Sequence, residues 1–286
     1  MSQTIRHRLH ILEAADWKAG VITLLAPSSP YRPWRCAFGE ARPGDYALLA
    51  LGTDPQSVLT VLARVDDEGT LSGALLGMSG HRADLFEVAT LASTLDLGDE
   101  AFTGWRLDDG VAERVILAVH ETRVHGDPYH RYGHSSLAAA RNLLGFNGRC
   151  QICDTAIDLT VPDARDQIHI HTADQSPRPD PHPPIRTPDD DGRRLTGLPH
   201  LRDAATDWPV VTCRDCHDGM RRGGFGSSID YAFARHPRCP RCGGQRSRHI
   251  VYGLPNDPRS WEPWIAIGGC RLCDENWTCE LCRHNW

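Results

Sequence analysis

The chain reads as a multidomain α+β protein, with a β-rich amino-terminal region followed by a half that is held together by cysteine pairs. Two observations carry this. Ten of the 11 cysteines fall in Cys-x-x-Cys pairs, Cys150/Cys153, Cys213/Cys216, Cys239/Cys242, Cys270/Cys273 and Cys279/Cys282. Ahead of them, short apolar runs recur, VITLLA (21–26), YALLAL (46–51) and VLTVLARV (58–65), each bounded by Gly, Pro or Asp. A length of 286 residues allows two or three compact units.

The Pro43-Gly44-Asp45 turn feeds the second apolar run, and VAERVILAV (111–119) closes the region as a strand or short helix. Several strands at this spacing predict a small β-barrel or curled sheet over residues 1–120. Trp17, Trp34 and Trp105 are spread through it, with Tyr31 and Tyr46. The segment PGDYALLALGTDPQSVLTVLARV resembles the PUA-like superfamily, including the EVE domains, in which a Gly-Asp-Tyr strand precedes a second β segment. That resemblance implies a β-barrel holding a modified or flipped base against aromatic side chains, a general way to grip an extruded base. Trp17, Trp34 and Tyr46 are the base-binding candidates; the same three also read as core aromatics.

No stretch approaches the roughly 20 apolar residues that span a bilayer, and the start lacks a long apolar segment, so a cytoplasmic protein without a membrane partner is expected. A reducing compartment decides how the thiols are read. Disulfide scaffolds belong mostly to secreted chains. A thioredoxin-like redox pair needs one Cys-x-x-Cys near a βαβ pattern, whereas five pairs occur here. Two thiolates two residues apart on a tight turn both reach one tetrahedral ion at about 2.3 Å, which points to zinc. Cys36 stands alone and reads as a small buried apolar residue.

The net charge of −6 argues against a simple cationic nucleic-acid coat. Within 221–248, however, seven arginines (Arg221, Arg222, Arg235, Arg238, Arg241, Arg246, Arg248) face one acid, Asp230. Such a stretch is either a solvated surface or a phosphate contact. Residues 121–135 read as a linker, and His120, His125, His130 and His134 are too irregularly spaced to form a ligand set. A helix is expected over 135–146, with Ser135 or Ser136 as N-cap and Gly145 near its end. The Pro- and Asp-rich residues 172–206 read as a loop-like insertion.

The strongest pattern is RNLLGFNGRCQICD, then DQIHIHTAD, then DWPVVTCRDCHDGM. Over residues 136–222 it resembles the zinc-supported HNH nuclease family. The resemblance implies a ββα-metal unit in which Cys150, Cys153, Cys213 and Cys216 bind a structural zinc, His171 is the general base, and His217 helps to hold Mg²⁺ or another divalent ion. Two positions depart from the family pattern. Ile170 stands where a metal-binding His or Asp often precedes the base, but His169 shares a strand face with His171 and is the candidate replacement. The family's middle Asn is also missing: Trp208 stands about five residues before the second knuckle, and Asp207, just before it, is the candidate substitute.

The last unit, 235–286, contains HPRCPRCGGQRSRHIVYGLPND and IAIGGCRLCDENWTCELCRHNW, and resembles a small bacterial zinc ribbon. Cys239, Cys242, Cys279 and Cys282 are its first-ranked ligands. Their outer spacing exceeds the roughly 15–20 residues common between ribbon knuckles, so Cys270/Cys273 competes. About two structural zinc ions per chain follow.

Together these readings imply a metal-dependent HNH endonuclease that hydrolyses DNA phosphodiester bonds. With a base-reading first domain, the whole resembles a modification-dependent restriction enzyme. The rivals are a non-catalytic zinc-finger protein that binds nucleic acid or a partner, favoured by Ile170 and the missing Asn, and an RNA-processing factor. A homodimer is compatible with each reading.

Overall fold

The computed structural model describes residues 8–31, 42–60, 62–65, 71–72, 85–98, 102, 106–107, 109–121, 131–174, 206–253 and 262–286. Trp34, Cys36, Trp105, most of the 121–135 linker and most of the 172–206 insertion lie outside the described residues. The rest is mixed α/β with three small sheets, in two compact units: 1–170 with 211–214, and 171–210 with 215–286. No described helix is long and apolar enough to cross a membrane.

The first unit is centred on strand β2 (Tyr46–Leu51), which follows the left-handed turn residue Gly44 (φ +90°). Strand β1 (Leu9–Ala14) pairs with one edge of β2 in parallel along its whole length. The other edge is shared: β3 (Ser57–Leu59) pairs with Ala50 and Leu51, and β4 (Ala63–Val65) with Tyr46 and Ala47, both antiparallel. Outside these lie β5 (Leu71–Ser72) on β4 and β6 (Leu85–Glu87) on β3. Among the described residues this six-stranded sheet does not close, which corrects the expected barrel. One edge of the central strand feeds two diverging branches, so the pairing fans out.

Both sheet faces are covered, which is why β2 reads as an unbroken apolar run. Leu9, Ile11, Leu48, Ala50 and Val58 point into a core with helix α2 (Val88–Thr94) and with Ala112 and Val115 of helix α3 (Asp109–Glu121). Leu12, Leu49 and Leu51 lie on the alternate positions and are equally buried. VITLLA is not a strand. It belongs to helix α1 (Trp17–Leu25), started by Asp16, whose carboxylate accepts from Ala19 N–H at 3.2 Å.

A buried pair ties the start of β2 to β1. His10 Nε2 lies 3.0 Å from Asp45 Oδ2, and Asp45 also accepts from the amides of Arg42 (2.9 Å) and Arg8 (3.3 Å). Burial pushes the Asp45 carboxyl up, but these hydrogen bonds outweigh it and hold the group below the ordinary carboxylate range. Asp45→Ala would orphan an imidazole and two amides at a site where the side chains are 3% and 8% exposed, so a loss of about 3 kcal/mol is expected in urea unfolding. A lowered folded pKa gives stability that is present above the unfolded value, about 4, and lost as pH falls through the folded one. The gap between wild type and variant should therefore narrow on acidification below pH ~4.

Helix α4 (Ser136–Leu144) forms where expected, with Ser135 Oγ accepting from Ala138 N–H at 3.1 Å and Gly145 at the C-cap. It packs on α1 within the first unit, and Arg141 donates to Leu85 O at 2.7 Å. These contacts explain why the first unit runs to 170 and does not stop at the linker. Short helix α5 (Ala164–Gln167) leads into β7 (Ile168–His171), which pairs with β8 (Val210–Cys213). Lys18, the one lysine of the sequence, donates to the carbonyls of Arg165 (2.5 Å) and Ile168 (2.7 Å) at the entry to β7.

The second unit contains helix α7 (Ser228–Arg235) and most of helix α6 (Arg214–Arg222). Its sheet has β9 (Ser247–Val251) between parallel β10 (Ile265–Ile267) and antiparallel β11 (Trp277–Cys279).

Candidate functional site

Two four-cysteine sets converge: Cys150, Cys153, Cys213 and Cys216, and Cys239, Cys242, Cys279 and Cys282. In each, the sulfurs lie within 4.8 Å of one another. Sγ separations are 3.7 Å for Cys153–Cys213 and 3.6 Å for both Cys239–Cys282 and Cys242–Cys279. A tetrahedral zinc with bonds of about 2.3 Å places its sulfurs about 3.8 Å apart. A disulfide would need about 2.05 Å. Both sets therefore fit zinc, and two ions can be held.

The chain builds the first set from a tight hairpin and a strand-to-helix turn. Cys150 N–H donates to Thr155 O and Asp154 N–H to Cys150 O, each at 2.8 Å, and Asp154 takes a left-handed φ of 60°. Gln151 couples the knuckle to β8. Its amide donates to Val211 O at 3.0 Å, and its side-chain oxygen accepts from Val211 N–H at 2.6 Å. Strand β8 ends at Cys213, and the first turn of α6 supplies Cys216, which is 2% exposed.

The second set uses two matching knuckles. Gly243 (φ 70°) follows Cys242 and Arg283 (φ 58°) follows Cys282, and each returns its amide to the first cysteine of its pair, at 2.8 and 3.0 Å. Burial raises the Cys239 thiol, but the amides of Cys242 and Arg241 outweigh it and lower it to about 7, whereas the Gly244 amide lowers Cys242 but the sulfurs of Cys279 and Cys282 outweigh it and push it up to about 12. Asp274, after Cys273, lacks the left-handed turn, and Cys270 and Cys273 are exposed outside both sets. Three-dimensional convergence thus selects Cys279/Cys282 over the competitor.

The structure also brings His171 and Asp207 together. His171 Nε2 lies 2.7 Å from Asp207 Oδ2, with side chains 23% and 20% exposed. The other carboxylate oxygen accepts from the amides of Trp208 and Ser228, both at 2.8 Å. Ser227 caps α7 and Ser228 opens it, so the carboxylate sits at a helix N-terminus, where negative charge is favoured. Burial pushes Asp207 up, but His171 and the two amides outweigh it and keep the carboxyl below its usual range. The Ser-Ser-Ile-Asp run gives away a helix start, but it does not say which carboxylate that helix catches.

His169 lies two residues before His171 on β7, and its carbonyl accepts from Thr212 Oγ1 at 3.3 Å. His217 follows Cys216 in the first turn of α6. Among the described residues, His169, His171, His217 and Asp207 do not form a third set of converging ligand atoms. Trp17 and Tyr46 are not brought together. Leu9 of β1 is level with Tyr46, whereas Trp17 lies beyond the far end of β1, so the two stand at opposite ends of the strand pair. Tyr46 packs on the core, with the Arg64 guanidinium 6.0 Å from its ring centroid.

The arginine-rich stretch divides. Arg246 and Arg248 bind Glu280, and Arg246 also covers the Phe233 ring at 4.2 Å. Arg221, Arg222, Arg238 and Arg241 are exposed. Compared with known proteins, the chain matches no family model, no curated protein and no solved structure.

Proposed function

We propose that the chain is a cytoplasmic endonuclease that hydrolyses DNA phosphodiester bonds by the chemistry its HNH-like motif implies. The observation that carries this is the His171–Asp207 pair, which lies in sequence between the two cysteine pairs of one four-cysteine set. Asp207 holds Nε2 of the imidazole and orients the ring. Among the described residues Nδ1 has no hydrogen-bond partner, so it is left to take a proton from an attacking water. The carboxylate, fixed by two amides, stabilises the imidazolium that forms. Exposed Arg221, Arg222, Arg238 and Arg241 can meet backbone phosphates.

The proposal includes a divalent ion, Mg²⁺ or another, on His217, the position that the motif implies. It would stabilise charge on the phosphate and the leaving oxygen. An imidazole ligand suits a transition ion such as Ni²⁺ better than Mg²⁺, which takes mainly oxygen ligands.

The test is incubation of the full chain with modified and unmodified plasmid DNA in Mg²⁺, Mn²⁺, Co²⁺ or Ni²⁺. No cleavage of any substrate would sink the nuclease reading and leave the non-catalytic zinc-finger one, and cleavage confined to modified DNA would support a base-reading first unit. Asp207→Ala should lower kcat about 10- to 100-fold with little change in KM, because it acts on the base and not on DNA binding. Asp207→Asn should lose at least as much, since with its oxygen on the Ser228 and Trp208 amides its NH2 faces Nε2 and forces the tautomer in which Nδ1 carries the proton.

A further inference from the structure

We propose that Cys270 and Cys273 are half of a third zinc site, completed by the same pair of a second copy of this chain. The inference rests on the four-cysteine sets holding zinc, and it is independent of the nuclease reading.

The segment Cys270-Arg-Leu-Cys-Asp-Glu-Asn-Trp277 and the segment Cys279-Glu-Leu-Cys-Arg-His-Asn-Trp286 share one pattern, C-x-L-C-x-x-N-W. The cysteines of the second repeat belong to a four-thiol set, while those of the first belong to none. Among the described residues, no third His, Cys, Asp or Glu ligand atom joins them.

Their loop is pinned at both ends. Gly268 N–H donates to Val251 O and Gly253 N–H to Gly269 O, each at 2.9 Å. A Cβ on Gly268 would meet the Tyr252 ring at 2.4 Å and Ile250 Cγ2 at 2.6 Å, and Gly269 needs a φ of +84°. Beyond the thiols, Tyr252 OH donates to Glu275 O at 2.8 Å and Ile250 N–H to Asn276 O at 2.7 Å. Two thiols are thus exposed to solvent on a turn whose flanks are hydrogen-bonded, with Cys273 Sγ donating to Arg271 O at 3.8 Å.

A closed zinc site takes four thiolates, and this pair supplies two. A two-fold axis through the ion brings the same two from a second copy, with the thiol protons released to solvent. Leu272, between the thiols and 81% exposed, would be covered by that contact. Arg271 on one side of Cys273 and Asp274 on the other let two copies exchange opposite charges.

The experiment measures mass by light scattering, and bound zinc, on the full chain in slight zinc excess under a phosphine reductant, which prevents a disulfide from mimicking the link. The wild type should be a dimer with about 2.5 zinc ions per chain, and the Cys270→Ser/Cys273→Ser variant a monomer with about two. Retention of about two zincs shows that the variant keeps both four-cysteine sets. A wild type that stays monomeric, a third zinc carried by a monomer, or a dimer indifferent to the double substitution would each overturn the proposal. DNA cleavage is not read in this experiment, so failure here and failure of the nuclease reading are separate outcomes.

Discussion

His171→Ala should reduce DNA cleavage by about 10²- to 10⁴-fold, the usual contribution of a positioned general base. The loss should fall on kcat, since an imidazole that takes a proton from water acts in the transition state and contributes little to ground-state DNA binding. The variant should keep its zinc, because His171 is not a member of either four-cysteine set. Combining it with Asp207→Ala should cost little more than His171→Ala alone, because the carboxylate acts through the ring that has been removed. Undiminished cleavage by His171→Ala would reject the base assignment. A double variant much weaker than either single one would show that Asp207 acts by another route.

How far the sequence reached depended on whether the deciding interaction was local. YALLAL is strand β2 residue for residue, because its apolar run follows a Pro-Gly-Asp turn that exposes its start. VITLLA failed because a short apolar run buried on nearly every side looks the same as strand or helix. Its real signal was Asp16, an N-cap five residues earlier. VLTVLARV is two strands, because β2 offers half an edge to each. Strand β1 went unread because its two polar residues, His10 and Glu13, fall on opposite faces and break the alternation, with His10 buried against Asp45.

The site shows the same division. Spacing alone identified metal knuckles but left three pairs competing for the second ion, and the left-handed residues after Cys242 and Cys282 were not visible in it. Asp207 could be named as a substitute for the missing Asn from its position. Its grip by Ser228, 21 residues later, depends on where α7 begins in space.

Removing metal should have the largest effect on the fold. Purified protein should carry one tightly bound zinc ion in each four-cysteine set, and structural zinc in small domains supplies about 10–16 kcal/mol per site, comparable to the whole stability of a typical domain. The ribbon-like part of the second unit has little else to replace it. Its sheet is three strands of three to five residues, and Ile250, Trp264 and Cys279 are its main buried apolar side chains. Cys279→Ala should therefore lower zinc to about one per chain and open 236–286 to proteolysis, while α4 and the β2-centred sheet stay protected. Cys216→Ala should also leave about one zinc, but its consequence lies elsewhere. It frees the start of α6 from β8 and the Cys150 knuckle, and with them His217, so cleavage should be lost while β9, β10 and β11 remain protected. Full zinc content in either variant would contradict the partition of the eight ligands. Protease sites at 236–286 in Cys216→Ala but not in Cys279→Ala would show that the two sets have been assigned to the wrong parts of the chain.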